Sequence, residues 1–160
     1  MVKKKAIVVA IPILLIIMVI GTFIFEEQNS KSPLKVFNDA GVYQPYYGYV
    51  EVTKEIGVVM LDDSTCLFLG EFGNDCFVVD EQTVKNGKYS QKGITRFYEM
   101  SVFSPEDISI EQTQTHDGFS SWSIFLAEGN IDEMLDSTMI SRVETFEHSN
   151  GQNIYVVIYK

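Results

Sequence analysis

The sequence predicts an α+β protein: an N-terminal transmembrane helix followed by one antiparallel-sheet domain with one or two packed helices. Three observations predict it. An uninterrupted apolar run extends from Ala6 to Phe25. From Tyr47 onwards, β-branched and aromatic residues recur with a period of two. Two further segments carry helix caps in place of that alternation.

The apolar run holds 20 residues without a charge or an amide. As a helix it covers roughly 30 Å, the thickness of a bilayer's hydrocarbon core. Pro12 kinks such a helix without excluding it, because neighbouring groups in a membrane re-satisfy the freed backbone. Lys3, Lys4 and Lys5 precede the run, and Glu26 and Glu27 follow it. Cationic residues are retained on the cytoplasmic side. Residues 1–5 are therefore expected as a cytoplasmic tip, 6–25 as the span, and everything from Glu26 outside the cell membrane. The competing reading is a cleaved signal peptide. That reading calls for a shorter apolar core and a small-x-small cleavage site. Gly21-Thr22-Phe23-Ile24-Phe25 offers no such pair, and Pro33 would follow a cut at Ser32. The expectation is an uncleaved signal-anchor.

Charge bounds the partners. The chain has 12 basic and 22 acidic residues. Three of the basic ones and none of the acidic ones precede the span, so the exterior part carries nine against 22, a net of −13. Nucleic acid is excluded as a partner, since phosphate binding needs clustered Lys and Arg. An anionic lipid surface is disfavoured for the same reason. The plainest role of the charge is to keep the domain soluble.

Residues 26–32 are polar and without period, a linker that reaches at most about 25 Å. The exterior domain follows as 33–160. Ser32 is placed to cap a short helix, with Pro33 at its first position and Gly41 as its left-handed stop. Leu34, Phe37 and Ala40 are its expected buried stripe. Strands are expected over Tyr49–Lys54, Gly57–Leu61, Thr65–Leu69, Cys76–Asp80 and Ile94–Phe103. Asn86-Gly87, Asp117-Gly118 and Asn150-Gly151 each suit a two-residue hairpin turn. The second joins 108–115 to 120–127, and the third joins 143–148 to 152–159, where Ile154, Val156 and Ile158 line one face. Their even spacing is not a repeat, because the sequences between them do not match. A longer helix is expected after Asn130, with Glu133 completing a capping box and Ile131, Met134, Leu135 and Thr138 as its stripe, ending near Ile140.

Candidate chemistry is sparse. A Ser-His-Asp site needs a base beside a nucleophile. The two histidines, His116 and His148, each stand at a turn, and turn histidines are mostly solvated. There is no Gly-x-Ser-x-Gly elbow, H-E-x-x-H, paired C-x-x-C or EF-hand loop, and no cofactor or metal site is expected. Asp62-Asp63-Ser64 and Asn74-Asp75 offer hard oxygen ligands for Ca²⁺, yet turns account for them. Cys66 and Cys76 form a candidate disulfide if their hairpin centres on Glu71, which sets them opposite each other. Two reduced cysteines are the alternative. Tyr43, Tyr46, Tyr47 and Tyr49 cluster around Pro45 and Gly48. Such rings suit a contact surface, because tyrosine supplies area and a hydroxyl at low entropy cost. The plainer role, and the favoured one, is to cover the sheet's edge or dip into the core. Trp122 among serines is either core or surface. The expectation is a non-enzymatic interaction module of a bacterial cell envelope, meeting an envelope protein or a wall component. A membrane-tethered hydrolase assembled from scattered residues is the alternative.

Overall fold

Alternation of apolar and polar residues buries one face of each strand, so the arrangement of those faces decides how many layers form. The computed structural model describes residues 31–100, 110–127 and 138–160. The expected cytoplasmic tip and span, residues 26–30 of the linker, the ends of the expected strands at 101–103 and 108–109, and most of the expected helix after Asn130 lie outside the described residues. Among the described residues no helix is long and apolar enough to cross a membrane.

Helix α1 (Pro33–Asp39) forms as its caps dictate. Ser32 Oγ accepts the Lys35 amide at 3.3 Å, Pro33 opens the helix, and Gly41 has φ +60°. Its buried residues are Pro33, Val36 and Phe37. The stripe is thus corrected at one position, since Ala40 is exposed and Val36 takes its place. Ala40 serves as the C-cap, outside the helical face.

Two short strands, β1 (Tyr43–Gln44) and β2 (Gly48–Tyr49), pair as a small hairpin. The first large sheet is a meander of β3 (Lys54–Met60), β4 (Thr65–Phe72), β5 (Cys76–Lys85) and β6 (Lys88–Glu99). The second contains β7 (Glu111–Thr115), β8 (Gly118–Ala127), β9 (Ile140–Glu147) and β10 (Asn153–Tyr159), in the order β7-β8-β10-β9. All neighbours are antiparallel. The fold is therefore antiparallel with one short helix among the described residues, and the expected single sheet is two four-stranded sheets beside the small β1–β2 hairpin. Ile140 opens β9, where the sequence suggested a helix end.

The two sheets pack face to face. Val59, Leu67, Leu69, Phe77 and Val79 meet Trp122, Ile124, Ile154, Val156 and Ile158. The other face of the first sheet is covered by Phe37 of α1 with Val50 and Val52, which close over Phe68, Phe72 and Val78. Glycine makes one approach between sheets close: a Cβ at Gly57 would lie 2.1 Å from the Phe146 ring.

The turns differ in kind. Asn86 (φ +53°) and Gly87 (φ +70°) make the expected two-residue turn with both central residues left-handed. The second hairpin is displaced by one residue: Thr115 pairs with Gly118, so His116 and Asp117 form the turn. The third is longer, because Glu147 pairs with Asn153 and five residues lie between.

The hairpin of β4 and β5 corrects the disulfide. Phe72 pairs with Cys76 and Cys66 with Gln82, so the centre is Asn74, not Glu71. Gly73, with φ +63°, helps to fix that tight three-residue connection. Both sulfurs share the face that looks towards α1, but Cys66 lies six ladder positions from the partner of Cys76, about 20 Å along the strands. Both cysteines are free. Burial raises the Cys66 thiol to about 12, with the Asp80 carboxylate adding to the effect. A thiol-specific reagent applied to the folded protein is therefore expected to label Cys76 well before Cys66, and both on denaturation. Equal rates in the folded state, or no free thiol after denaturation, would contradict this register.

Candidate functional site

The β1–β2 hairpin presents the tyrosines. Gly48 at φ +75° and the Gln44 side chain, which accepts the Tyr47 amide at 3.1 Å, hold its turn. Val50 donates to the Val42 carbonyl at 2.9 Å and extends the pairing by one rung. The four tyrosines then divide into two roles. Tyr46 is 91% exposed, Tyr49 80% and Tyr43 61%, whereas Tyr47 is 39% exposed. Tyr47 is the foot of the hairpin. Its ring packs edge-on against Phe72 at 5.2 Å, and its hydroxyl donates to Glu99. Tyr43 and Tyr49 meet edge to face at 5.4 Å, which orients two exposed rings at little further cost in entropy.

This hairpin stands at a defined end of the domain. Its foot lies beside the β4–β5 turn, where Phe72 pairs with Cys76 and Cys76 with Glu99. The start of α1 lies towards the other end, since Gln82 Nε2 donates to the Pro33 carbonyl at 3.0 Å. From Gln82 to Cys76 is six residues of strand, about 20 Å. The chain thus enters the domain well away from the tyrosines, with α1 bridging part of the distance. Asn38 marks its far end by bonding both the amide and the carbonyl of Val52.

The remaining polar groups bind one another. Asp62 accepts Ser64 at 2.7 Å and the His116 amide at 2.6 Å, tying the β3–β4 and β7–β8 turns together. Burial opposes its ionisation, but those bonds outweigh it and lower its pKa. His116 itself is exposed and bonds Asp117 at 3.1 Å, which raises its pKa. His148 corrects the expectation of a solvated turn histidine: it is 1% exposed. Its Nδ1 accepts the Asn150 amide at 3.3 Å and its Nε2 has no partner. Among the described residues no three His, Cys, Asp or Glu side chains are grouped to hold a metal ion.

Three buried carboxylates escaped the sequence reading. Glu81 lies inside the sandwich, bound by Arg96 at 2.8 Å. Arg96 also reaches Glu111 of the second sheet at 2.9 Å and lies 5.0 Å from the ring centre of Trp122. Trp122 is core, with its indole N–H donating to Thr113 Oγ1 at 2.8 Å. Asp80, on the opposite face, accepts from Gln82, Gln91 and Thr95. Burial nevertheless raises its pKa. The signal was the polar run Asp80-Glu81-Gln82, which a period-two reading takes for a strand's end. The strand instead continues to Lys85 because these side chains find partners on both faces.

The third carboxylate, Glu71, joins the sheets at the tyrosine end. It accepts Lys54 Nζ at 3.1 Å and the Ser149 amide at 2.9 Å. Burial favours its neutral form, yet Ser149, Lys54 and the nearby His148 more than offset this and lower its pKa.

No protein-family model matches the chain, and no curated protein or solved structure shows significant similarity to it. Its function must be argued from the geometry alone.

Glu71 supplies a test of that geometry. A carboxylate whose folded pKa is depressed stabilises above its unfolded value and loses that contribution as pH falls through the folded pKa. Asp80, raised by burial, acts in the opposite sense and is relieved on acidification. Subtracting the melting curve of Glu71→Gln from that of the parent protein isolates the first effect. The parent is expected to be the more stable at neutral pH, with the difference shrinking below about pH 4.5. A difference that does not change with pH would show that the fold does not lower the Glu71 pKa, and one that grows on acidification would show that Glu71 is held neutral.

Proposed function

We propose that the chain is a single-pass, membrane-anchored interaction module on the outer face of a bacterial cell membrane, not an enzyme, and that the β1–β2 hairpin is its contact surface. One observation carries the reading: Tyr43, Tyr46 and Tyr49 are exposed on a hairpin whose base is fixed by Tyr47 and Phe72. Large rings in water are costly to maintain unless a partner covers them, and rigid tyrosines lose little entropy on binding. The apolar run of 6–25, flanked by lysines on one side and glutamates on the other, supports the anchor. In that arrangement the chain enters the domain from the membrane near Pro33, and the hairpin points away from the entry. The partner then approaches from the periplasm or wall side, as an envelope protein or a wall component.

Two measurements check this. Protease added to intact, wall-stripped cells is expected to remove the domain from outside, leaving the mature N-terminus ahead of Ala6. Protection, or a mature chain beginning after Phe25, would defeat the anchor. Replacing Tyr46 and Tyr49 with alanine is expected to abolish recovery of the native partner from detergent-solubilised membranes with little change in the thermal melt. Tyr47→Ala is expected to lower the melt by about 1–3 kcal/mol of stability, because it removes a packed ring and its hydrogen bond. Unchanged partner recovery with both exposed tyrosines absent would defeat the contact surface.

A further inference from the structure

Charge is divided along the strands of this domain. At the hairpin end, Glu51, Glu55, Asp75 and Glu99 are all exposed. Their places are fixed by the pairing: Glu99 stands opposite Cys76, Asp75 is in the β4–β5 turn, and Glu55 is opposite Gly70. Glu51 follows Tyr49 by two residues. The described basic side chains nearby are already taken, Lys54 by Glu71 and Lys35 by Asp39. The opposite end is mixed, with Lys85 and Lys88 flanking the β5–β6 turn and Lys160 beside the start of β9, against Asp62, Asp63 and Asp117 in the β3–β4 and β7–β8 turns. Three exposed rings thus stand among carboxylates that no cation among the described residues neutralises.

We propose that this end seats a lysine- or arginine-rich segment of another protein. The inference rests on the hairpin being the contact surface. Ring faces attract ammonium and guanidinium groups, and carboxylates placed beside them add charge-assisted hydrogen bonds. The two features select the same ligand. An uncharged glycan would use the rings and leave the carboxylates unmatched, and an anionic lipid surface would be repelled by them. The Tyr47 hydroxyl, donating to Glu99, holds one carboxylate at the foot of the hairpin.

The test uses the full chain in neutral detergent and a fluorescein-labelled peptide that alternates lysine with glycine, followed by fluorescence anisotropy. Binding is expected to weaken as salt rises. Tyr46→Ala with Tyr49→Ala is expected to weaken it about tenfold, the sum of two exposed cation–π contacts. Glu51→Gln with Glu99→Gln is expected to weaken it and to flatten the salt dependence, while the new amide oxygen at position 99 still accepts from Tyr47. Asp63→Asn with Asp117→Asn removes the same charge from the other end and is expected to leave binding within about twofold. An equal loss from that distant pair would reduce the effect to net charge and overturn the proposal. So would a preference for a chitin oligosaccharide over the peptide. If the native partner's recovery depends on the tyrosines but not on the carboxylates or salt, the cationic ligand falls and the contact surface stands. Should the tyrosines prove irrelevant to that recovery, both fall.

Discussion

Everything else in the domain is arranged around β4, which is buried on both faces along its whole length. Leu67 and Leu69 point into the sandwich, while Phe68 and Phe72 point towards α1 and the segment that follows it. A strand covered on both sides needs two independent lids, and this chain supplies a second sheet for one and a helix with residues 50–52 for the other. Gly70 is part of the arrangement. A Cβ there would lie 2.5 Å from Val52 and 2.9 Å from Phe68, so a side chain would push the lid off. The tyrosine hairpin is an extension of this second lid. Its rigidity comes from Tyr47 resting on Phe72, the last residue of β4.

Double burial also explains the buried carboxylates. A strand or turn group sealed between layers cannot reach water, so each needs partners within the fold. Glu71 draws the β9–β10 turn and Lys54 onto the end of β4, and Arg96 draws Glu81 and Glu111 together across the sheets. Removing the cation from such a set leaves a buried carboxylate without its counter-ion, which is far more costly than the pair itself is favourable. These links also protect the sheet edges. Lys92 of β6 donates to the Gln114 carbonyl of β7, and Arg142 of β9 donates to the Met60 carbonyl of β3. Edge strands tied to each other by side chains offer fewer free backbone groups to another chain.

Local chemistry was the legible part of the sequence. Ser32-Pro33 and Gly41 fixed α1, and Asn86-Gly87 fixed its turn, because capping and left-handed φ depend on residues in immediate contact. Ile154, Val156 and Ile158 were readable as one buried face. Register was not. Cys66 and Cys76 looked paired because Gly70 and Gly73 both offer a bend, whereas the register that buries Phe72 and Phe77 centres on Asn74, with Gly73 left-handed in the turn. The division into two sheets was equally hidden, since alternation reports that a face is buried but not what buries it. Among the tyrosines, composition marked the cluster but could not separate the foot from the rings it carries. His148 was misread for a similar reason: a turn residue is exposed only when no second layer closes over it.

The position of α1 gives the domain a direction. Its first turn is held by Gln82 and its last by Val52, so the helix carries the chain along the sheet before the hairpin begins. Were the hairpin to follow Ser32 directly, it would lie at the end where the chain enters, beside Lys85 and Lys88. The helix instead delivers it to the end rich in carboxylates. Seven helical residues advance only about 10 Å, and residues 40–42 cover the rest of the distance. The same seven residues supply Phe37, the aromatic that packs against Phe68 at 6.1 Å. One short helix thus covers the buried strand and separates the aromatic end from the point of entry. Loosening its cap at Ser32 would therefore disturb the hairpin's footing before it disturbed the sandwich.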